Sequence, residues 1–207
     1  MLGASCSELA EQCAPPIVPP TTKTKGPAPV VLEEADQQVK IWLQLAHEAY
    51  SDRQMLRALH YFQRALDYAQ EKGHDLDVAL VCRDLGYVCA REGSLDKALV
   101  YFDQGLAIPG VELSVQTGLM ANKASVFVSL GDYRPALELL EESSGLIRSK
   151  YRDFSSAPSQ LVHSYTAIVQ MADDLRKVVD LLDMGVRADR IQVDIKRHEP
   201  PWLSRKE

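Results

Sequence analysis

The sequence predicts an all-α fold, with three helix hairpins in series followed by a degenerate C-terminal helical pair. Three observations carry this expectation. A phrase recurs at near-even spacing: Ala58-Leu-His-Tyr-Phe62, Ala98-Leu-Val-Tyr-Phe102 and Ala136-Leu-Glu-Leu-Leu140. Each copy opens on Ala-Leu and places a large apolar residue four positions after the Ala, and the intervals of 40 and 38 residues are those of stacked repeat arrays. Between the copies, apolar residues recur at i, i+3, i+4 and i+7, the period of an amphipathic helix. Pairs of such stripes are separated by short Gly- or Asp-containing turns.

Residues 1–32 read as a disordered, Pro-rich N-terminal tail. Ala14-Pro-Pro-Ile-Val-Pro-Pro20 and Gly26-Pro-Ala-Pro29 forbid helix and favour extended backbone. Helical pattern starts at Glu33 and defines a repeat domain over 33–190. Val39, Trp42, Leu43, Leu45, Ala46, Ala49 and Tyr50 stripe the first helix. Asp52 is expected to cap the second, whose stripe is Leu56, Leu59, Phe62, Ala65 and Leu66, and Gly73 ends it. Leu76, Leu80, Val81, Leu85, Val88 and Cys89 mark the third helix as far as Gly93. Ser94 caps the fourth, which carries Leu95, Ala98, Leu99, Phe102 and Leu106 and stops at Pro109-Gly110.

The third hairpin runs through Val115, Leu119, Met120, Ala124, Phe127 and Val128 to Gly131. It returns from Asp132 along Ala136, Leu137 and Leu140 to about Tyr151. After Ser155–Pro158, Leu161, Tyr165, Ile168 and Val169 start a further helix. Asp173-Asp174 is expected to cap a last one, with Leu175, Val178, Val179 and Leu182. Residues 191–207 read as a C-terminal tail.

Composition narrows the function. The net charge is −6, and residues 33–150 account for all of it with 12 Lys and Arg against 18 Asp and Glu. Nucleic-acid binding needs basic surface, so no nucleic-acid role is expected. No apolar run of membrane-spanning length occurs, and the N-terminus lacks the pattern of a secretory signal, so a cytoplasmic location is expected. Cys82 and Cys89 lie seven apart on one helical face, about 10 Å along the axis, which is too far for a disulfide. They read as small buried hydrophobes. The chain has no phosphate loop, nucleophile elbow, zinc-protease motif or metal-ligand cluster. No enzyme activity, cofactor or metal is therefore expected.

The hairpins resemble the tetratricopeptide repeat (TPR), whose pattern is W-x2-L-G-x2-Y, then A-x3-F, then a terminal Pro. Trp42, Leu45, Ala46, Ala58, Phe62 and Ala65 match in the first hairpin. Leu85, Gly86, Ala98 and Phe102 match in the second, and Asn122, Ala124, Phe127, Ala136 and Leu140 in the third. The period is longer than the usual 34, as in the arrays of kinesin light chain, rapsyn and spindle-orientation adaptors. The terminal Pro is missing.

The resemblance implies a right-handed α-solenoid that acts as a protein–protein adaptor or scaffold, holding a partner in the concave groove lined by first helices. Carrying that lining over by register selects Lys40, His47, Tyr50, Arg83, Tyr87 and Arg91 as partner-binding residues. The implied partner is a protein or peptide bearing acidic and apolar side chains. The positions matching the chaperone-tail clamp are Leu43, His47, Asp84, Gly118 and Asn122, which lack the required Lys, Asn and Arg, so a chaperone C-terminal tail is not the expected ligand. The alternative is a structural subunit of a larger assembly, or a homo-oligomer, docking through its terminal helices. In that reading the stripe Leu175, Val178, Val179, Leu182 and Met184 is the docking face.

Overall fold

A computed structural model describes residues 36–191. The expected N-terminal tail, and all of the expected C-terminal tail except Ile191, lie outside the described residues. Within them the chain forms seven α-helices and a short 3-10 turn at Ala188–Arg190, with no strand. The helices are α1 (Gln37–Ser51), α2 (Met55–Lys72), α3 (Asp75–Arg91), α4 (Leu95–Leu106), α5 (Leu113–Leu130), α6 (Tyr133–Lys150) and α7 (Ser159–Asp183).

Each helix packs most extensively on a neighbour in sequence. The closest pairs are α1 with α2, α3 with α4 and α5 with α6; α7 then packs on α6. The first helices α3 and α5 also touch directly across the boundary between hairpins. The apolar interior is a ribbon rather than a ball. One cluster runs from Val39 to Val126, and a second from Ala121 to Leu175. Helix α5 belongs to both and is buried around most of its circumference, including Val115, Leu119, Ala121, Ala124 and Val126. A helix apolar on all sides is the kind that sits between others. Its buried Thr117 hydroxyl donates back to the Leu113 carbonyl at 2.8 Å, so burial leaves that polar group satisfied.

The recurring phrase forms the inner contact of each hairpin. Ala58, Phe62, Ala98, Phe102, Ala136 and Leu140 are all fully buried. The pattern overreaches at Leu56, which stands 61% exposed in the first turn of α2. Cys82 and Cys89 are buried free thiols, and burial pushes the Cys82 thiol up to about 12.

Two expected boundaries are corrected. Asp52 does not start α2; its N–H donates to Glu48 O and closes α1, and α2 begins at Met55 after Gln54. Arg53 makes the turn in the left-handed region at φ 60°, the conformation that Gly93 (φ 82°) and Gly131 (φ 85°) take in the next two hairpins. A side chain at such a position is strained by roughly 1–2 kcal/mol. Arg53→Gly is therefore expected to stabilise the chain by about 1 kcal/mol, once the greater freedom of unfolded Gly offsets part of the relief. Urea unfolding of both forms measures it, and an unchanged or lower midpoint would contradict the strain.

The second correction concerns the C-terminal pair. Residues 159–183 form one continuous 25-residue helix, and Asp173-Asp174 lies within it. An N-cap aspartate accepts from backbone N–H groups, but these two carboxylates take other donors. Arg176 Nη1 reaches Asp173 at 2.7 Å and Lys177 Nζ reaches Asp174 at 2.9 Å. Arg176 Nη2 also donates to Glu141 of α6 at 2.7 Å, tying the two helices at the surface. With no Gly or Pro between Ser159 and Asp183, nothing interrupts the helix.

Candidate functional site

The first helices α3, α5 and α7 start on one edge of the structure. Between their opening turns lies a cleft of about 310 Å³. Leu80 and Arg83 of α3 form one wall, Leu113, Val115 and Gly118 of α5 the floor, and Gln160, Leu161 and Ser164 of α7 the far wall. Lys150 and Tyr151, where α6 ends, close one side. Its charged lining residues are the cations Arg83 and Lys150 and the single acid Glu112, which accepts from the Ser114 hydroxyl at 2.8 Å.

Local sequence explains these positions. The Arg83 stem lies against α5 at Gly118, where an added Cβ would meet Arg83 Cδ at 3.5 Å, an ordinary van der Waals contact. Lys150 ends α6 with its ammonium 5.7 Å from the centre of the Tyr151 ring, a cation–π distance. Pro158 precedes α7 and fixes where that helix begins.

Behind the Arg83 wall lies a buried charge cluster. Asp84 is 1% exposed; Arg83 Nε donates to its Oδ1 at 2.9 Å, and His47 Nε2 of α1 lies 2.8 Å from its Oδ2. Burial alone would raise the Asp84 carboxyl, but the Arg83 charge and the His47 contact outweigh it and hold the group below its ordinary value. A second buried acid opens α3. Asp77 Oδ2 accepts the Asp36 N–H at 2.9 Å and lies 3.3 Å from His74 Nδ1, and burial raises its carboxyl against the pull of both.

The six residues selected from sequence separate in space. Arg83 lines the cleft, while His47 meets it only through Asp84, with its ring 5.5 Å from Phe62. Lys40 and Arg91 are exposed and lie outside the cleft lining. Tyr50 is half-buried near Glu92; burial and then the Glu92 charge raise its hydroxyl, and Arg91 pulls the other way. Tyr87 is 6% exposed and belongs to the core, which corrects its assignment as a groove residue. Helix α3 packs on α2, α4 and α5, meets α1 through the His47–Asp84 contact, and keeps little free face.

Sequence reasoning missed Lys150, Tyr151, Gln160 and Ser164, which come from the end of one repeat and the start of the next element. Of the stripe suggested as a docking face, Leu175, Val178 and Val179 are buried, and Met184 alone is strongly exposed at 73%. Among the described residues no group of His, Cys, Asp and Glu is arranged to hold a metal, and no helix is long and apolar enough to cross a membrane. No family model, curated protein or solved structure matches the chain.

Proposed function

We propose that this chain is a TPR-type, non-enzymatic adaptor that binds an acidic and apolar peptide segment of a partner protein. The carrying observation is the cleft among α3, α5 and α7, which sets two cations beside aliphatic walls. The serial hairpins, with small and large residues meeting at matching repeat positions, support an α-solenoid in which first helices present the binding surface. Within that surface the binding end is the α3/α5/α7 edge rather than the α1 face. The cations of the two regions therefore differ in role.

The test is binding of acidic–aliphatic decapeptides, selected from a display library, to the full chain by fluorescence anisotropy. Lys150→Glu reverses an exposed charge at the cleft and is expected to weaken binding about tenfold, or roughly 1.4 kcal/mol. Ser164→Trp, which fills the far wall, should abolish it. Lys40→Glu and Arg91→Glu should leave it within about twofold. Equal loss from the three charge reversals would mean a diffuse charge effect, and no loss from Lys150→Glu and Ser164→Trp would place the peptide elsewhere.

A further inference from the structure

The two ends of the array are finished differently. In the third hairpin, Leu119 of α5 packs on α4 of the hairpin before it, where a Cβ added to Gly105 would meet the Leu119 methyls at 3.0 Å. By the repeat intervals, Leu119 corresponds to Val81 of α3 and to Ile41 of α1. Leu119 and Val81 are fully buried, whereas Ile41 is 42% exposed. No hairpin precedes α1 among the described residues, so the face that later hairpins turn toward a predecessor is open here. At the other end α7 turns His163, Thr166, Gln170, Asp173, Lys177 and Asp180 outward, the polar closure of a terminal repeat.

The open face carries cations laid over aromatic rings. Trp42 lies about 140° round α1 from His47, the side chain that reaches α3, and so sits on the flank away from the rest of the array. It meets Tyr68 of α2 edge-on, with ring centres 5.3 Å apart. Arg57, Tyr61, Arg64, Tyr68 and Lys72 share that face of α2, at i, i+4, i+7, i+11 and i+15. Arg57 lies 5.6 Å from the Tyr61 ring centre, Arg64 5.3 Å from that of Trp42, and Lys72 5.5 Å from that of Tyr68. All three cations are exposed, and among the described residues none of them takes part in an ion pair. Arg57 donates to neutral groups, the Gln54 amide and the Tyr61 hydroxyl, while Asp67 accepts from Gln63. Glu71, beside Lys72, offsets part of the charge and leaves an excess of cations.

We propose that this end face of α1 and α2 docks an acidic amphipathic helix of a partner protein, at a site separate from the α3/α5/α7 cleft. A helix is what the corresponding place holds further along, where α2 packs on α3 and α4 packs on α5. Charge selects the occupant. Arg57 to Arg64 is about 10.5 Å along α2 and Arg64 to Lys72 about 12 Å, so a helix lying alongside meets them with carboxylates one heptad apart. The cations are already held over their rings, so little side-chain freedom is lost on docking. A second copy is a poor match: its own open face would set cations on cations, and its α7 end adds Arg176 and Lys177 to its acids. Single-stranded nucleic acid stacks bases on free ring faces, and here cations cover the rings.

The probe is a synthetic lactam-bridged helix with a Leu stripe flanked by Glu one heptad apart, long enough at about 1.5 Å per residue to span the ladder. It is titrated onto the intact chain by fluorescence anisotropy. Arg64→Glu/Lys72→Glu and Ile41→Glu, all at exposed positions, should each weaken binding about tenfold or more, and Lys150→Glu in the cleft should leave it within about twofold. The same helix with Lys in place of Glu should bind at least about tenfold more weakly. Absence of binding, equal binding of the Lys form, or tighter binding of a single-stranded oligonucleotide would overturn the proposal. Self-association of the chain that Arg64→Glu abolishes would overturn it as well. Loss with Lys150→Glu and none with Arg64→Glu/Lys72→Glu would put the probe in the cleft, refuting the end-face site while the peptide-binding function stands. Benzoylphenylalanine at position 41 adds a direct readout. Photo-adducts on the probe are expected, and adducts on this chain's own residues before Asp36 that the probe does not displace would overturn the site.

Discussion

Replacing Asp84 with Ala is expected to destabilise the chain by about 3 kcal/mol, among the largest losses available from one polar side chain. Asp84 is 1% exposed and is held by Arg83 from its own helix and His47 from α1. Removing one member of a buried charge cluster typically costs about 3–5 kcal/mol, because the partners stay behind without compensation. The low end applies because Arg83 and His47 keep 19% and 21% of their side-chain surface open, and water can recover part of the loss. Asp84→Asn keeps the shape and one acceptor, so a smaller loss of about 1–2 kcal/mol is expected. The two variants also separate the charge by pH. The folded carboxyl lies below its ordinary value, so its ionised form stabilises the fold above the unfolded pKa near 4 and loses that contribution as pH falls through the lower folded value. The advantage of the natural chain over Asp84→Asn should therefore be full at pH 7 and 5 and shrink below about pH 4. Denaturant melts at pH 7, 5 and 3 measure it, and a gap constant across the series would rule out a stabilising charge.

Asp84 also marks where the sequence stops being legible. Hairpin order was readable because the Ala-Leu phrase fills the same inner contact three times, and a packing requirement repeated in space is repeated in the chain. The turns at Gly93 and Gly131 were readable for the same reason. The turn at Arg53 was not, because an arginine in the left-handed region gives no local signal. Asp173-Asp174 reads equally well as an N-cap and as a pair of mid-helix acids, and only the donors on Arg176 and Lys177 decide between them. In the candidate site, Arg83 was found by repeat register. Asp84 read only as the wrong residue for a chaperone-tail clamp, because its burial against His47 depends on how α1 meets α3. Register also placed Tyr87 in the groove, whereas it is only 6% exposed, on a helix that packs against α2, α4 and α5. Lys150 and Ser164 stand far from Arg83 in sequence and outside any repeat position, so only the packing of α6 and α7 brings them to it.

The steepest packing constraint is the contact between Gly86 and Phe102, and Gly86→Ala is expected to destabilise the chain by about 1–2 kcal/mol. The sign is what makes the test sharp. In an open helix interior the same change gains up to about 1 kcal/mol from helix propensity. Here the new Cβ would lie 2.4, 2.7 and 2.8 Å from Cε1, Cδ1 and Cζ of Phe102. Carbon atoms pack at about 3.5–4.0 Å, so the ring must withdraw by more than 1 Å. Phe102 is fully buried, and there is little slack to receive it. Phe102→Ala fails in the opposite way, by leaving a cavity, and should cost about 3–5 kcal/mol. The third hairpin shows how the two volumes trade. Thirty-eight residues on, Gly86 corresponds to Ala124 and Phe102 to Leu140, a larger small residue with a smaller large one, whereas the first hairpin keeps Ala46 with Phe62 and so sets its helices differently. Transplanting that pair as Gly86→Ala/Phe102→Leu should therefore be more stable than the sum of the two single changes, by about 1 kcal/mol or more of favourable coupling. Urea melts of the four chains close the cycle. Additive losses would mean that Gly86 is needed for something other than the approach of α3 to α4.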